Sequence, residues 1–129
     1  MSARILICDD EQEILDITQM ILEDEGYQVT SVSDSRTVEK IVETERPDIL
    51  LIDLWMPGIP GDQIVRNLRC NNAVKDLPVV VVSASRAGKE TAFSAGADDF
   101  LAKPYEIEAL IDMVSKHLNK GQKLIASAG

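Results

Sequence analysis

Acidic residues follow two apolar runs of this 129-residue chain, at points where a strand would end. Asp9 and Asp10 come directly after the run 4–8, and Asp53 comes directly after the run 48–52. Carboxylates gathered at one sheet edge repel one another, and a hard cation such as Mg²⁺ relieves that repulsion because it prefers oxygen ligands. A lone Asp at such a place is more often a helix cap. The prediction of a metal site therefore depends on the convergence of all three.

Two further polar side chains follow the remaining core runs. Ser83 follows the run 78–82, and Lys103 follows the run 98–101 and precedes Pro104. A lysine ammonium beside carboxylates can neutralise added negative charge, and a serine hydroxyl can donate a hydrogen bond to a phosphoryl oxygen. The peptide bond before Pro104 is compatible with a cis form that directs Lys103 inward. These residue types predict an anion site that also holds a metal.

Five short apolar runs alternate with helical patterns along the chain. The runs are Arg4–Cys8, Tyr27–Val32, Asp48–Ile52, Pro78–Val82 and Asp98–Leu101. The first, third and fourth are almost entirely Ile, Leu and Val, which is typical of strands buried on both faces, whereas the second alternates and predicts an edge strand. Strict β-α alternation predicts an α/β fold: a flavodoxin-like, doubly wound, five-stranded parallel sheet of order 2-1-3-4-5 with five helices. In that order strands 1 and 3 are neighbours, so the three carboxylates meet beyond their carboxyl ends.

Apolar residues at helical spacing predict the amphipathic helices between these strands. The clearest stripes are Ile14, Ile17 and Ile21; Val38, Ile41 and Val42; and Ile107, Leu110, Ile111, Val114 and Leu118. Gly26 indicates the end of the first helix, and further helices are expected to begin near Gly61 and Ala87. His117 is predicted to lie on the solvent side of the last helix rather than to carry a phosphate.

Length and composition indicate one domain over residues 1–120, followed at 121–129 by a segment without periodicity that predicts a loose tail or the start of a linker. The apolar fraction of 45% is enough for a core without a disulfide. Cys8 ends an apolar run and is predicted to be buried, whereas Cys70 lies in a polar stretch. Cysteine usage, with no signal peptide and no long apolar run, predicts a cytoplasmic protein away from membranes. The net charge of −9 argues against direct nucleic-acid binding and favours a cation site or a basic partner.

The chain resembles the receiver domains of two-component response regulators from residue 4 to about residue 119. The motifs that carry the resemblance are Cys-Asp-Asp-Glu (8–11), Leu-Ile-Asp-Leu-Trp-Met-Pro-Gly (51–58), Val-Ser-Ala (82–84), Ala-Gly-Ala (95–97) and Phe-Leu-Ala-Lys-Pro (100–104). Each motif alone is weakly diagnostic, but their order and spacing together are highly specific. The resemblance implies a signalling switch that catalyses only its own phosphorylation and dephosphorylation, and not a conventional enzyme.

The resemblance also implies a metal site built around the phosphoacceptor. Asp53 is expected to be the phosphoacceptor and a ligand of Mg²⁺, for which Mn²⁺ is a substitute. Asp10 is expected to ligate the ion directly, and Asp9 helps to hold it, often through water. The backbone carbonyl of Trp55 completes the protein ligands. The indole of Trp55 either shields the acyl phosphate from water or simply covers the surface, and the sequence leaves both roles open.

The resemblance also implies that three residues respond to the phosphoryl group. Ser83 is expected to contact it, Lys103 to pair with it, and Phe100 to reorient on activation, which repacks the output face of helix 4, strand 5 and helix 5. The expected phosphodonor is a sensor histidine kinase or a histidine phosphotransfer protein. The downstream protein target is not indicated by the sequence.

Other classes of protein share parts of this pattern. An aspartyl-nucleophile phosphatase of the haloacid-dehalogenase-like type needs a second acid two residues after the nucleophile, where this chain has Trp55. A flavodoxin-like electron carrier needs a Ser/Thr/Gly-rich loop after strand 1, where this chain has Asp-Asp-Glu-Gln-Glu. A purely structural pseudo-receiver would lack Asp53, Lys103 or the acidic pair, and all are present. Within the receiver interpretation, a stand-alone regulator and a domain excised from a longer regulator or hybrid kinase both remain open.

Overall fold

Five parallel strands form the centre of the fold. We describe it from a computed structural model that covers residues 2–85 and 87–128, with side chains described as far as residue 118. The strands are β1 Arg4–Cys8, β2 Gln28–Val32, β3 Ile49–Asp53, β4 Val79–Ser83 and β5 Asp99–Ala102. Their order is β2-β1-β3-β4-β5 and every pairing is parallel, which confirms the predicted topology and the edge position of β2.

Helices cover both faces of the sheet. They are α1 Gln12–Asp24, α2 Val38–Glu45, α3 Gly61–Cys70, α4 Gly88–Ala95 and α5 Ile107–Ala128, and a 3₁₀ turn, Ser35–Thr37, precedes α2. The end of α1 before Gly26 is confirmed, and Gly26 has the positive φ of 95° that glycine adopts readily. Strands β3, β4 and β5 end one residue later than predicted, so that Asp53 and Ser83 are the last residues of their own strands.

The alternation of side chains along each strand divides the core into two layers. On one face Leu6 and Leu50 pack with α2, α3 and α4, and on the other Ile5 and Leu51 pack with α1 and α5. Because helices cover both faces, successive residues of β1, β3 and β4 must be apolar, which explains their uninterrupted apolar runs. Cys8 lies in the first of these layers, as predicted, and Cys70 is exposed.

The buried face of α1 differs from the predicted one. The predicted stripe is Ile14, Ile17 and Ile21. The buried residues are instead Leu15, Thr18 and Leu22, and Ile17 is 54% exposed. Apolar residues occupy so much of this helix that more than one stripe has helical spacing, and tertiary contacts select between them. Leu15 and Leu22 join the core layer of α5, and the Thr18 hydroxyl lies 2.8 Å from the hydroxyl of Tyr105.

The exposed position predicted for His117 is wrong. Leu110 and Val114 of the predicted α5 stripe are buried, whereas Ile107 of the same stripe is 56% exposed and His117 is buried, at 7% exposure. Its Nε2 lies 3.0 Å from Oδ2 of Asp99, at the start of β5. A polar side chain is buried at little cost when it has a hydrogen-bond partner, and this partner comes from a separate element, the preceding strand.

The carboxyl-terminal segment also differs from the prediction. Helix α5 continues to Ala128, so the backbone of residues 121–128 is helical where a loose tail was predicted. The segment consists mainly of residues with good or moderate helix propensity, and Gly121 is its only strong helix disfavouring residue. The division into a domain over 1–120 and a linker after it stays a prediction.

Candidate functional site

Three carboxylates meet at the carboxyl-terminal edge of the sheet. Strands β1 and β3 are neighbours, with Cys8 paired to Ile52, so Asp9 and Asp53 extend from adjacent strands. Carboxylate oxygens of Asp9, Asp10 and Asp53 lie within 4.8 Å of one another; Asp9 and Asp53 are buried and Asp10 is exposed. The structure thus brings together the three acids that the sequence singled out, because the strand order reverses between β1 and β3.

The ammonium of Lys103 enters this cluster from the end of β5. Its Nζ lies 2.6 Å from Oδ2 of Asp9 and 3.5 Å from Oδ2 of Asp53. The backbone N–H of Lys103 donates to the Ser83 carbonyl at 2.9 Å, which continues the β4–β5 ladder, and the Lys103–Pro104 peptide bond is cis. One ammonium among three carboxylates leaves the site with an excess of negative charge.

The electrostatics of the cluster favour an added positive charge. Burial raises the pKa of Asp53 above its ordinary value, and the charges of Asp9 and Asp10 add to that rise. Lys103 and the N–H of Trp55 oppose the rise but do not cancel it. Burial acts to lower the pKa of Lys103, but the hydrogen bond to Asp9 and the charge of Asp53 outweigh it, so this pKa is also raised. Both shifts are expected of a site in which neighbouring carboxylates repel one another, because a bound proton or cation reduces that repulsion.

The donor set fits a hard divalent cation. Mg²⁺ takes oxygen ligands and keeps several waters, so a few carboxylates and one carbonyl are enough to hold it. The exposed carboxylate of Asp10 keeps one side of the cluster open to solvent. The backbone of Trp55 reaches the same place, since its N–H is hydrogen-bonded to the carboxylate of Asp53, while its indole is 57% exposed. The residues present therefore fit Mg²⁺ without rearrangement of the strands.

The loop 54–60 carries Trp55 past the cluster. Leu54 is fully buried, and its carbonyl accepts a hydrogen bond of 2.9 Å from the N–H of Gly61, which closes the loop at its two ends. A Cβ at Gly61 would overlap the backbone carbonyl of Asp53, so only glycine fits there. From the sequence, Gly61 is expected only to begin a helix. The Pro-Gly pair signals a turn, but the close approach to Asp53 is a tertiary feature.

Ser83 and Phe100 face one point beneath the start of α4. Ser83 is fully buried and its Oγ accepts a hydrogen bond of 3.3 Å from the N–H of Ser85, and Phe100 packs partly buried against the core. A Cβ at Gly88 would lie 3.4 Å from Oγ of Ser83 and 3.7 Å from Cε2 of Phe100, and within 2.7 Å of Cδ2 of Leu54. The close approach of Leu54 therefore requires glycine at position 88, a residue that no sequence motif pointed to, and Gly88 lies beside both Ser83 and Phe100.

Comparisons with known proteins agree with this geometry. A family model described as the response regulator receiver domain matches residues 5–115. A CheY-like response regulator receiver domain protein from Methanospirillum hungatei JF-1 is similar in structure, with a TM-score of 0.87, 27% identity, and coverage of 95% of this chain and 98% of that one. The chemotaxis response regulator CheY4 of Vibrio cholerae has a TM-score of 0.85 and 25% identity, with coverage of 91% and 99%.

A third solved structure comes from a sensor kinase. The receiver domain of sensor histidine kinase PA1611 from Pseudomonas aeruginosa PAO1 has a TM-score of 0.86 and 25% identity, over 92% of this chain and 99% of that one. That structure holds a magnesium ion coordinated in the active site cleft. The likeness therefore extends to receivers that belong to kinases as well as to regulators.

A five-stranded doubly wound sheet carries three acids at its switch point and a lysine after β5. The chain belongs to the family of response regulator receiver domains, which are signalling switches of two-component systems. Among the described helices, none combines the length and the apolar composition that crossing a bilayer requires.

Proposed function

We propose that Asp53 accepts a phosphoryl group in a Mg²⁺-dependent reaction and that this modification switches the face formed by α4, β5 and α5. The observation that carries the proposal is the position of Lys103. Its Nζ lies 2.6 Å from Asp9 and 3.5 Å from Asp53, at the closed end of an acidic cluster. A cation there matches a site that must tolerate the added charge of a phosphoryl group.

The reaction is a transfer between two nucleophiles. The bond from phosphorus to the imidazole nitrogen of a phosphohistidine donor breaks, and a bond from phosphorus to a carboxylate oxygen of Asp53 forms, which gives an acyl phosphate and a free imidazole. Phosphoryl transfer has a loose transition state, so the protein contributes mainly position and charge stabilisation. Lys103, close to Asp53, would pair with the phosphoryl oxygens, and the carboxylate of Asp53 at the end of β3 would attack phosphorus.

Asp9, Asp10, Asp53 and the backbone carbonyl of Trp55 would hold the metal ion. Mg²⁺ at this place supplies positive charge that offsets both the carboxylates and the transferred group. Mn²⁺ is an expected substitute because carboxylate, carbonyl and water ligands suit both ions. The magnesium ion in the cleft of the PA1611 receiver supports the assignment.

Ser83 and Phe100 are proposed as the residues that report the modification. Ser83 ends β4, and its hydroxyl can turn to donate to a phosphoryl oxygen. The hydrogen bond that it now accepts from the N–H of Ser85 would then be lost. Phe100 can then reorient at the start of α4, where Gly88 lies beside both side chains. Phe100 lacks the phenolic hydroxyl that would fix an inward ring by a hydrogen bond, so packing alone would hold the active arrangement. The output is a shift in population between two packings of one face.

The proposed donor is a sensor histidine kinase or a histidine phosphotransfer protein. Receiver domains of histidine kinases from Syntrophus aciditrophicus and Pseudomonas aeruginosa are similar in structure, so a place within a longer regulator or hybrid kinase stays a candidate beside a stand-alone role. In each case the output is expected to be a contact with another protein or domain, with no direct role for nucleic acid.

Phosphorylation of the isolated chain tests the proposal. The wild-type protein, incubated with acetyl phosphate and Mg²⁺, should gain one phosphoryl group by intact mass, and the gain should map to the peptide that contains Asp53. Asp53→Asn should gain none, and Asp76→Asn, which changes an exposed carboxylate far from the cluster, should behave as wild type. Labelling of Asp53→Asn to the wild-type extent would refute the assignment.

A further inference from the structure

The hydroxyl of Ser35 bridges two segments that are distant in sequence. Ser35 opens the 3₁₀ turn before α2 and is 1% exposed. Its Oγ donates to the backbone carbonyl of Pro57 at 3.1 Å and accepts from the N–H of Ile59 at 3.0 Å. Both bonds go to loop 54–60, so one buried side chain satisfies a carbonyl and an amide of that loop.

The turn that presents Ser35 is itself fixed. The carboxylate of Asp34 caps it by accepting hydrogen bonds from the N–H of Arg36 at 3.0 Å and from Nε of Arg36 at 3.1 Å. The side chain of Arg36 also lies against Gly58, where an added Cβ would be 3.5 Å from its Cγ and 3.1 Å from Oγ of Ser35. Gly58 has a φ of 90°, a conformation that glycine adopts readily. The turn and the loop are therefore held together by close packing as well as by hydrogen bonds.

The rest of the loop is held at other points. The Leu54 carbonyl and the Gly61 N–H close it at its ends, and the buried side chain of Met56 lies 3.6 Å, sulfur to sulfur, from Cys8. Among the described hydrogen bonds, those of Ser35 are the ones that reach the segment 57–59. Trp55 lies between the Leu54 and Ser35 attachments, so the direction of its carbonyl depends on both.

We infer that Ser35 is a positioning residue for the metal site: it holds loop 54–60 so that the backbone carbonyl of Trp55 faces the cation held by Asp9, Asp10 and Asp53. The inference rests on the proposed function for its choice of Trp55 as a ligand. Hydrogen bonds behind a metal ligand orient it and raise affinity, because the ligand does not have to be ordered when the metal binds. Ser35 touches neither the metal nor the phosphoryl group, and it acts through the loop.

A comparison of substitutions at Ser35 and at its neighbour Thr37 distinguishes the positioning of loop 54–60 from a general structural role. Ser35→Ala removes both bonds to the loop. Thr37→Val removes a hydroxyl of the same turn, whose Oγ1 donates within the turn, to the Asp34 carbonyl at 2.9 Å. Trp55 is the only tryptophan of the chain, so its fluorescence reports Mg²⁺ binding directly.

The Mg²⁺ dissociation constant from Trp55 fluorescence is the primary measurement. Ser35→Ala should raise it by about tenfold, the lower end of the effect of a residue that orients a metal ligand, and Thr37→Val should leave it unchanged. The amide of Ile59 should also lose hydrogen-exchange protection in the metal-free Ser35→Ala protein. The free energy of unfolding, measured for both variants without metal, shows whether they are folded. If Ser35→Ala does not fold, Ser35→Cys takes its place, because its thiol keeps a weaker donor and acceptor. An intermediate Mg²⁺ affinity is then expected.

The outcomes distinguish this inference from the proposed function. Mg²⁺ affinity of folded Ser35→Ala equal to that of the wild type would overturn the positioning role even if Asp53 is phosphorylated normally. An equal loss of affinity in Thr37→Val would also overturn it, because the effect would then belong to the turn as a whole. Wild-type protein that binds Mg²⁺ but is not phosphorylated at Asp53 would overturn the proposed function and leave the role of Ser35 supported or refuted by the affinities alone. Wild-type protein that binds no Mg²⁺ would overturn both.

Discussion

Arg69 of α3 joins three segments at the amino-terminal end of the sheet, opposite the acidic cluster. Its Nε donates to the carbonyl of Gly96 at 2.8 Å, and its Nη1 donates to the carbonyls of Lys75 and Leu77 at 2.9 and 2.7 Å. Its Nη2 lies 2.9 Å from Oδ2 of Asp98. One guanidinium therefore connects α3 to the end of α4 and to the chain that enters β4.

Replacement of this side chain should be strongly destabilising. Each hydrogen bond to a backbone carbonyl contributes about 1 kcal/mol net, and the ion pair, whose carboxylate is 45% exposed, adds only about 0–1 kcal/mol. Arg69→Ala should then lower the free energy of unfolding by about 3 kcal/mol. At about 4 °C per kcal/mol for a domain of this size, Tm should fall by about 12 °C. Arg69→Lys should recover less than half of the loss, because an ammonium cannot reproduce the planar fork.

Arg66 offers a matched control on the same helix. Its Nη2 pairs with Oδ2 of Asp62 at 2.6 Å, one turn away on the surface of α3. Such a pair contributes about 0.5 kcal/mol, so Arg66→Ala should change Tm by only about 2 °C. Urea and thermal unfolding followed by circular dichroism measure both variants. If Arg69→Ala is no less stable than Arg66→Ala, the hydrogen bonds to the three carbonyls do not stabilise the fold and the reasoning is wrong.

Three further predictions concern single side chains. Exposed Cys70 should react with a thiol reagent at about pH 8 in the native protein, whereas Cys8 should not, because burial raises the pKa of the Cys8 thiol to about 12. One thiol should react with the reagent before unfolding and two after it. Reaction of two thiols in the native protein would contradict the prediction. Burial acts to raise the pKa of Asp99, but hydrogen bonds from His117 and two other donors outweigh it and hold that pKa below its ordinary value of 3.8. The resulting stability is present above that value and is lost as pH falls through the lowered pKa, so the stability difference between wild type and Asp99→Asn should shrink on acidification below about pH 4, and a constant difference in urea unfolding would count against it. If the exposed indole of Trp55 shields the acyl phosphate, Trp55→Asn should shorten the phosphate lifetime measured by intact mass after donor removal, and an unchanged lifetime would leave the indole as a surface cover.

The apolar runs of the chain were sufficient to predict the sheet. Runs such as 49–52 and 79–82 are apolar at successive positions because helices cover both faces of a parallel sheet, and few other environments require that pattern. Short β-α connections then leave few topologies, and the order that places β1 beside β3 is one of them. The acids and the lysine of the candidate site could be found for the same reason, since each lies at a strand end and strand ends are local features.

The sequence did not determine which face of α1 is buried or that His117 is buried. Ile17 and Leu15 are equally apolar, and the choice between them depends on how α1 packs against the core layer of α5. His117 is buried beside Asp99 of the preceding strand, which supplies a carboxylate at 3.0 Å. A hydrogen-bond partner supplied by another element has no signature at the residue that uses it.

By itself, the sequence determined the fold class and the set of acids at strand ends, because these follow from local apolar patterns, and chain chirality left only a few strand orders. Only the tertiary structure decided that Lys103 pairs more closely with Asp9 than with Asp53. It alone also showed that Ser35 holds the loop beside the cluster. These features depend on the relative positions of groups from separate elements, and such positions are set only when the whole core is packed.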